Sequence, residues 1–226
     1  KRRDIDIFAS MEPAKEVGGD FYDFYMTDGN TLHFLIADVS GKGIPAAMFM
    51  MRAKTELKSL TENGMPINEV FTHGNAALCE GNDAGMFVTA WQGGIDLSSG
   101  LIRFANAGHN PPLVRHAADG KFEYLRSRAG FVLAGMDGVV YKAQELQLER
   151  GDIIFLYTDG VTEAENANKE LFGDDATIDA LKRARSNNAR SSKDFVEYVY
   201  RRVKEHAGEV EQSDDITMIV LEYKGA

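Results

Sequence analysis

The chain has 226 residues, of which 44% are hydrophobic and 27% charged, a composition typical of an ordinary globular protein. Its formal charge of −10 argues against a nucleic-acid partner, because general nucleic-acid binders need excess Lys and Arg to displace counterions from phosphates. Uncharged stretches stop short of the about 18 apolar residues of a membrane span. The single cysteine, Cys79, excludes an internal disulfide and a thiolate metal cluster. We therefore expect one domain over residues 1–226, located in the reducing cytoplasm.

The sequence begins Lys1-Arg2-Arg3, without an initiator methionine or an apolar signal core. This start favours a domain excised from a longer protein. The missing N-terminal region could anchor the full-length protein to a membrane.

Apolar or alternating runs bounded by Gly, Asp or Asn predict strands. They cover residues 5–9, 21–26, 31–37, 87–96, 100–107, 141–148, 152–157 and 216–223. Four helices are expected: one from Pro45 to Gly64, one beginning near Pro66, a weaker one at about 177–184 and one behind the cap candidates Ser191 and Ser192. In the first of them, one apolar face is predicted from the spacing of Ala46, Met50, Ala53, Leu57 and Leu60. Strand and helix do not alternate strictly, so an α+β fold with antiparallel sheets is favoured.

Short carboxylates mark the boundaries of several predicted strands. Asp38 and Asp159 each end an apolar strand, Asp20 follows two glycines, and the pair Asp214 and Asp215 precedes the last strand. Asp clusters without His or Cys select hard cations such as Mg²⁺ and Mn²⁺. Two such ions close together activate water for attack on phosphorus. The pattern indicates a phosphohydrolase, although Asp at strand ends is also common turn chemistry.

Five segments resemble, in order, the motif set of the bacterial PPM-type (type 2C-like) metal-dependent serine phosphatases, the SpoIIE/RsbU family. They are residues 16–23, 37–43, 106–112, 157–163 and 213–217, and the resemblance runs from about residue 8 to 223. It implies a sandwich of two antiparallel β-sheets flanked by helix pairs, in α-β-β-α layers. It also implies two bound Mn²⁺ or Mg²⁺ ions.

The resemblance further implies roles for individual residues. Asp38 would bridge both ions, Asp20 and the Val39 carbonyl would complete one coordination shell, and Asp159 and Asp214 the other. Asp38, Asp20 and Asp159 are the catalytic candidates. Secondary candidates are Asp215 as an alternative at the last position, Lys42 as a basic group near phosphate, and His109, which is expected to order its own loop.

The substrate implied by the resemblance is a phosphoserine on an anti-sigma-factor antagonist, a STAS-type protein, hydrolysed directly by a metal-activated hydroxide. The implied setting is a signalling protein with an upstream sensor domain in the same chain, and a homodimer is left open. Residues 177–204 carry eight basic and three acidic residues, which suits either a docking face for an acidic partner or a solvated helix face.

Two alternatives stay open at this point. The eukaryotic branch has a histidine two residues after the bridging aspartate and an arginine that grips phosphate. Here Ser40 follows Val39 and no such arginine is evident, so a catalytically weak phosphoprotein-binding domain is one alternative. A nucleotidyl cyclase is the other, because Gly18-Gly19-Asp20 is similar to the Gly-Gly-Asp-Glu-Phe turn of diguanylate cyclases. Asp159 and Asp214 would then be unexplained.

Overall fold

The computed structural model describes residues 2–225, which form two compact units. Unit I comprises the residues up to 14, 110–125 and those from 148 on, and unit II comprises 15–109 and 126–147. The strands are β1 (Ile5–Glu12), β2 (Phe21–Met26), β3 (Thr31–Val39), β4 (Val88–Asp96), β5 (Leu101–Ala107), β6 (Leu113–Arg115), β7 (Phe122–Tyr124), β8 (Gln144–Gln147), β9 (Ile153–Tyr157) and β10 (Ile216–Tyr223). The helices are α1 (Ile44–Glu62), α2 (Ile67–Cys79), α3 (Asp159–Thr162), α4 (Gly173–Ser186) and α5 (Ser192–Ala207).

Unit II is an antiparallel sheet with the strand order β2-β3-β4-β5-β8, packed against α1 and α2. The apolar face predicted for α1 is the face that packs: Ala46, Ala53 and Leu57 are buried, and Met50 and Leu60 are partly buried against the same core. Alternate residues of β3 enter this core, which leaves the residues between them on the opposite face of the sheet.

Unit I is a second antiparallel sheet, with the order β1-β10-β9-β6-β7, covered by α4 and α5. The cap predicted at Ser191 is present. The Ser191 hydroxyl accepts the Asp194 N–H, and the Asp194 carboxylate accepts the Ser191 N–H, which forms a capping box at the start of α5. The preceding helix is longer than its predicted range of 177–184.

The structure corrects the predicted elements in three places. Only Gln144–Gln147 of the predicted strand 141–148 is a strand, because the Tyr141 N–H donates to the Thr72 hydroxyl of α2 at 3.1 Å and not to a neighbouring strand, while its ring packs edge-on against Phe71. The strands β6 and β7 were not predicted, since three residues are too few to show a periodicity. The single turn α3 was also missed.

The predicted α+β class, with two antiparallel sheets and accompanying helices, is confirmed. Within residues 2–225, no helix has the length and hydropathy required to cross a membrane.

Candidate active site

In unit II, the pairing of β2 with β3 brings Asp20 next to Asp38. Phe21 pairs with Ala37, so Asp20, which precedes Phe21, stands opposite Asp38. Opposed residues on antiparallel strands have Cβ atoms about 4.5–5.5 Å apart on one face of the sheet. Because Phe21 and Ala37 point into the helix-covered core, the two carboxylates point to the other face. Asp20 is only 2% exposed, and Asp38 is half-buried.

The Val39 carbonyl lies against the glycine loop that carries Asp20. The Val39 N–H donates to the Gly19 carbonyl at 3.4 Å. A Cβ added to Gly19 would lie 2.7 Å from the Val39 oxygen, closer than real Cβ contacts allow. Glycine at this position therefore permits the close approach of the loop to the end of β3, which is where the sequence placed three proposed ligands.

His109 is buried, and the structure connects it to the face of Asp38 through a residue that the sequence analysis missed. Its Nδ1 is 2.9 Å from the Thr89 hydroxyl, and Thr89 is the β4 residue that pairs with Asp38. Asn106 fixes the turn: its Oδ1 accepts the His109 N–H at 2.8 Å and its Nδ2 donates to the His109 carbonyl at 3.0 Å. Only the strand register could have revealed Thr89, because it lies outside the five motifs.

Lys42 is exposed in the turn between β3 and α1. An exposed lysine in a turn suits solvation as well as a contact with phosphate. The role of Lys42 stays a prediction.

In unit I, Asp159 and the pair at 214–215 lie at the same end of two neighbouring strands. Asp159 follows β9, and Asp214 and Asp215 precede β10. The two segments are joined by hydrogen bonds from the Thr158 N–H to the Thr217 carbonyl, 3.0 Å, and from the Thr217 N–H to the Thr158 hydroxyl, 3.1 Å. These bonds hold the ends of the two strands side by side.

The two aspartates before β10 have different surroundings. Asp215 is 6% exposed, and its Oδ1 accepts the Ala14 N–H at 2.9 Å. Asp214 is half-buried, and its Oδ1 accepts the Asp215 N–H at 2.9 Å. Burial and the charges of Asp159 and Asp214 raise the pKa of Glu163. The Glu163 N–H donates to the Asp159 carbonyl at 2.7 Å, and Glu163 is an acid that the sequence analysis did not single out.

The donor atoms at both strand ends are oxygens. Asp20, Asp38 and the Val39 carbonyl supply them in unit II, and Asp159 and Asp214 in unit I. Hard divalent cations such as Mg²⁺ and Mn²⁺ prefer such ligands, so the chemistry of the donors fits these ions. No group of three or more His, Cys, Asp or Glu side chains among residues 2–225 forms a ready-made metal cluster.

Comparison with known proteins decides the family. The family model described as Stage II sporulation protein E (SpoIIE) matches residues 28–224. The chain belongs to the SpoIIE family. It is 33% identical over 220 residues to the phosphoserine phosphatase RsbU of Bacillus subtilis, a match that covers 97% of this chain and 64% of RsbU. The chain thus spans less than two thirds of the length of this relative. The predicted resemblance to the SpoIIE/RsbU phosphoprotein phosphatases is confirmed.

Solved structures agree on the fold of this SpoIIE-family chain. The PP2C phosphatase domain of SpoIIE from Bacillus subtilis, solved with a fragment of its regulatory domain, gives a TM-score of 0.82 at 16% identity and covers 98% of this chain and 64% of that one. RsbX in complex with magnesium gives a TM-score of 0.72 at 18% identity and covers 99% and 97%. At these identities the likeness shows a shared PP2C-type fold.

Proposed function

We propose that the chain is the catalytic domain of a metal-dependent protein serine/threonine phosphatase. Its substrate class in this proposal is a phosphoserine on a bacterial regulatory protein of the anti-sigma-factor antagonist, STAS type. The observation that carries the proposal is that, within each unit, the motif carboxylates lie at neighbouring strand ends, in a chain similar along 97% of its length to a phosphoserine phosphatase.

The proposed cofactors are two Mn²⁺ or Mg²⁺ ions, and magnesium in RsbX supports this class of ion. Asp38, Asp20 and the Val39 carbonyl would supply ligands from unit II, and Asp159 and Asp214 would supply ligands from unit I. When bound, the ions acidify water and neutralise the phosphoryl group. Asp215 ranks below Asp214 as a ligand, because its carboxylate already accepts the Ala14 N–H.

Electrostatics in unit II support a cation beside Asp20 and Asp38. Two carboxylates at opposed positions of a strand pair repel each other when both are ionised. Burial of Asp20 adds a desolvation cost, which a coordinated cation offsets. These terms favour a bound cation beside the pair.

The remaining site residues have positioning roles. The Asn106 side chain fixes the turn that carries His109. The Nδ1 of His109 is within hydrogen-bonding distance of the Thr89 hydroxyl, and Thr89 pairs with Asp38. In this role His109 orders its own loop and orients Thr89. Orientation of a ligand through its neighbours is a common requirement of metal sites.

The structure adds no observation in favour of either alternative from the sequence. Membership of the SpoIIE family supports a phosphatase over a nucleotidyl cyclase, which leaves Asp159 and Asp214 unexplained. A binding-only module has no need for clustered negative charge facing a phosphate. The upstream sensor, the homodimer and the cytoplasmic location stay predictions.

The experiment measures hydrolysis of a phosphoserine peptide and of p-nitrophenyl phosphate with Mn²⁺, with Mg²⁺ and with EDTA. Wild type, Asp38→Asn and Asp159→Asn are compared with Asp83→Asn, an exposed aspartate in a turn of unit II. We expect metal-dependent turnover that falls by at least about 10²-fold in the two site variants and is unchanged in the control. Turnover in EDTA, or full activity in both site variants, contradicts the mechanism. A protein that retains the phosphopeptide without hydrolysing it is instead the binding module, and a cyclic product from GTP would identify a cyclase.

A further inference from the structure

A cavity of about 570 Å³ lies at the end of the unit I sheet opposite to Asp159 and Asp214. Its walls come from residues before β1 and before β9, from the end of β10, and from α4 and the turn after it, whereas the two aspartates follow β9 and precede β10. Since β10 spans eight residues at about 3.3 Å per residue, the two ends are more than about 20 Å apart. The cavity is therefore separate from the proposed reaction centre.

The lining of this cavity is strongly basic. Its charged members are Arg3, Arg150, Arg185, Arg190, Lys224 and Glu222, and the other two are glycines. Five cations thus face one carboxylate, in a chain whose formal charge is −10. Arg185 and Arg190 belong to the basic segment 177–204, and the other three cations come from three other places in the sequence.

Within residues 2–225, few carboxylates lie close to the positive charges of the cavity. Lys224 has carboxylates of Asp6 and Glu222 at 3.8 Å. Among the described residues, no carboxylate forms an ion pair with any of the four lining arginines, and the guanidinium of Arg185 donates to the Ala189 carbonyl at 3.3 Å. Like charges that converge without counter-charges destabilise a fold, so the cluster favours a bound anion.

The backbone segments that carry the basic residues are hydrogen-bonded to neighbouring parts of unit I. The Gly151 N–H donates to the Tyr223 carbonyl at 2.7 Å, and the Lys224 N–H donates to the Asp4 carbonyl at 2.8 Å. The Arg190 N–H donates to the Asp194 carboxylate at 2.8 Å, beside the capping box of α5. These bonds fix the backbone segments that carry the basic side chains around a common space, which lowers the backbone entropy cost of binding.

We propose that this basic cavity binds an anion that carries two or more linked phosphate groups. Guanidinium groups form bidentate hydrogen bonds with phosphate oxygens. Five cations are more than a single phosphate group needs. The volume lies in the range of small-molecule sites. Charged residues and glycines line the cavity, so recognition depends on charge and not on apolar contact.

The test is calorimetric titration with tripolyphosphate, without added metal. The variants are Arg150→Gln and Arg190→Gln, singly and together. The matched control is Arg183→Gln, an exposed arginine of α4 that is paired with Asp179 outside the cavity. We expect each cavity variant to weaken binding about tenfold, because it loses a charge-assisted hydrogen bond to phosphate, and the control to bind as wild type. Inorganic phosphate is expected to bind more weakly than tripolyphosphate.

Absence of binding to wild type overturns the proposal, and so does equal binding by the double variant when its melting curve shows a folded protein. Stronger binding of a poly-glutamate peptide than of tripolyphosphate would identify an acidic protein as the partner and overturn the phosphate assignment. The Asp38→Asn variant separates this inference from the proposed function, because it is expected to lose turnover and keep tripolyphosphate binding. Binding lost in Asp38→Asn would place the anion at the metal site and contradict a second site.

Discussion

Gly160 is the position at which a single methyl group tests the local geometry of the candidate site. A Cβ added there would lie 2.0 Å from the Asp215 carbonyl oxygen and 2.9 Å from its carbon. Real Cβ atoms essentially never approach within 3.0 Å, so Gly160 and Asp215 must separate by at least about 1 Å. Both contacts are with backbone, which cannot rotate away as a side chain would. Gly160 is helical, so alanine would otherwise be favourable there.

The Gly160→Ala change is expected to destabilise the protein by about 2–3 kcal/mol, because overpacking forces backbone shifts. The shift strains the hydrogen bond from the Ala14 N–H to Asp215 and the one from the Thr158 hydroxyl to the Asp215 carbonyl. For a chain of this size, the melting temperature should fall by about 4–12 °C. Displacement of the 214–215 segment should also weaken Mn²⁺ binding, so that half-maximal activity requires a higher Mn²⁺ concentration.

Thermal unfolding followed by circular dichroism measures the effect. Gly29→Ala is the control, because a Cβ there meets nothing within 4 Å and its φ lies outside the left-handed region. In Gly19→Ala the new Cβ would lie 2.7 Å from the Val39 oxygen, so its melting temperature should lie between those of Gly160→Ala and Gly29→Ala. A Gly160→Ala protein that melts within about 1 °C of wild type would refute the close approach of the two backbones.

Three further predictions concern the metal, the last strand and pH. Mn²⁺ should raise the melting temperature, because ligands that bind only the folded state stabilise it, and the rise should be smaller in Asp38→Asn; an equal rise would argue against Asp38 as a ligand. Asp214→Asn should lose Mn²⁺-dependent turnover. Asp215→Ala should keep it and lose about 1–3 kcal/mol of stability, because it removes the oxygen that accepts the part-buried Ala14 N–H; the reverse pattern in activity would exchange their roles. Burial lowers the pKa of His33, so the folded state resists a proton that the unfolded state takes up. Stability should therefore fall as the pH drops below about 6.5, and urea midpoints should show a weaker fall in His33→Gln than in the exposed-histidine control His73→Gln.

The sequence alone determined the parts of this protein that depend on short-range pattern. The apolar spacing of α1 predicted its packed face, and Ser191 predicted the cap of α5, because both depend on residues within a few positions of each other. The five ordered motifs were enough to indicate the family. The same patterns failed for β6 and β7, which have three residues each, and for Tyr141, whose position is decided by its contact with Phe71.

Tertiary structure decided which distant residues meet. The register of β2, β3 and β4 places Asp20, Asp38 and Thr89 side by side, and no local pattern carries a register. The contact of Gly160 with Asp215 joins residues 55 positions apart. The basic cavity likewise draws cations from four separate segments, so its charge is invisible in a sequence whose total charge is −10. The sequence shows which charged residues are present, but strand pairing determines which of them lie close together.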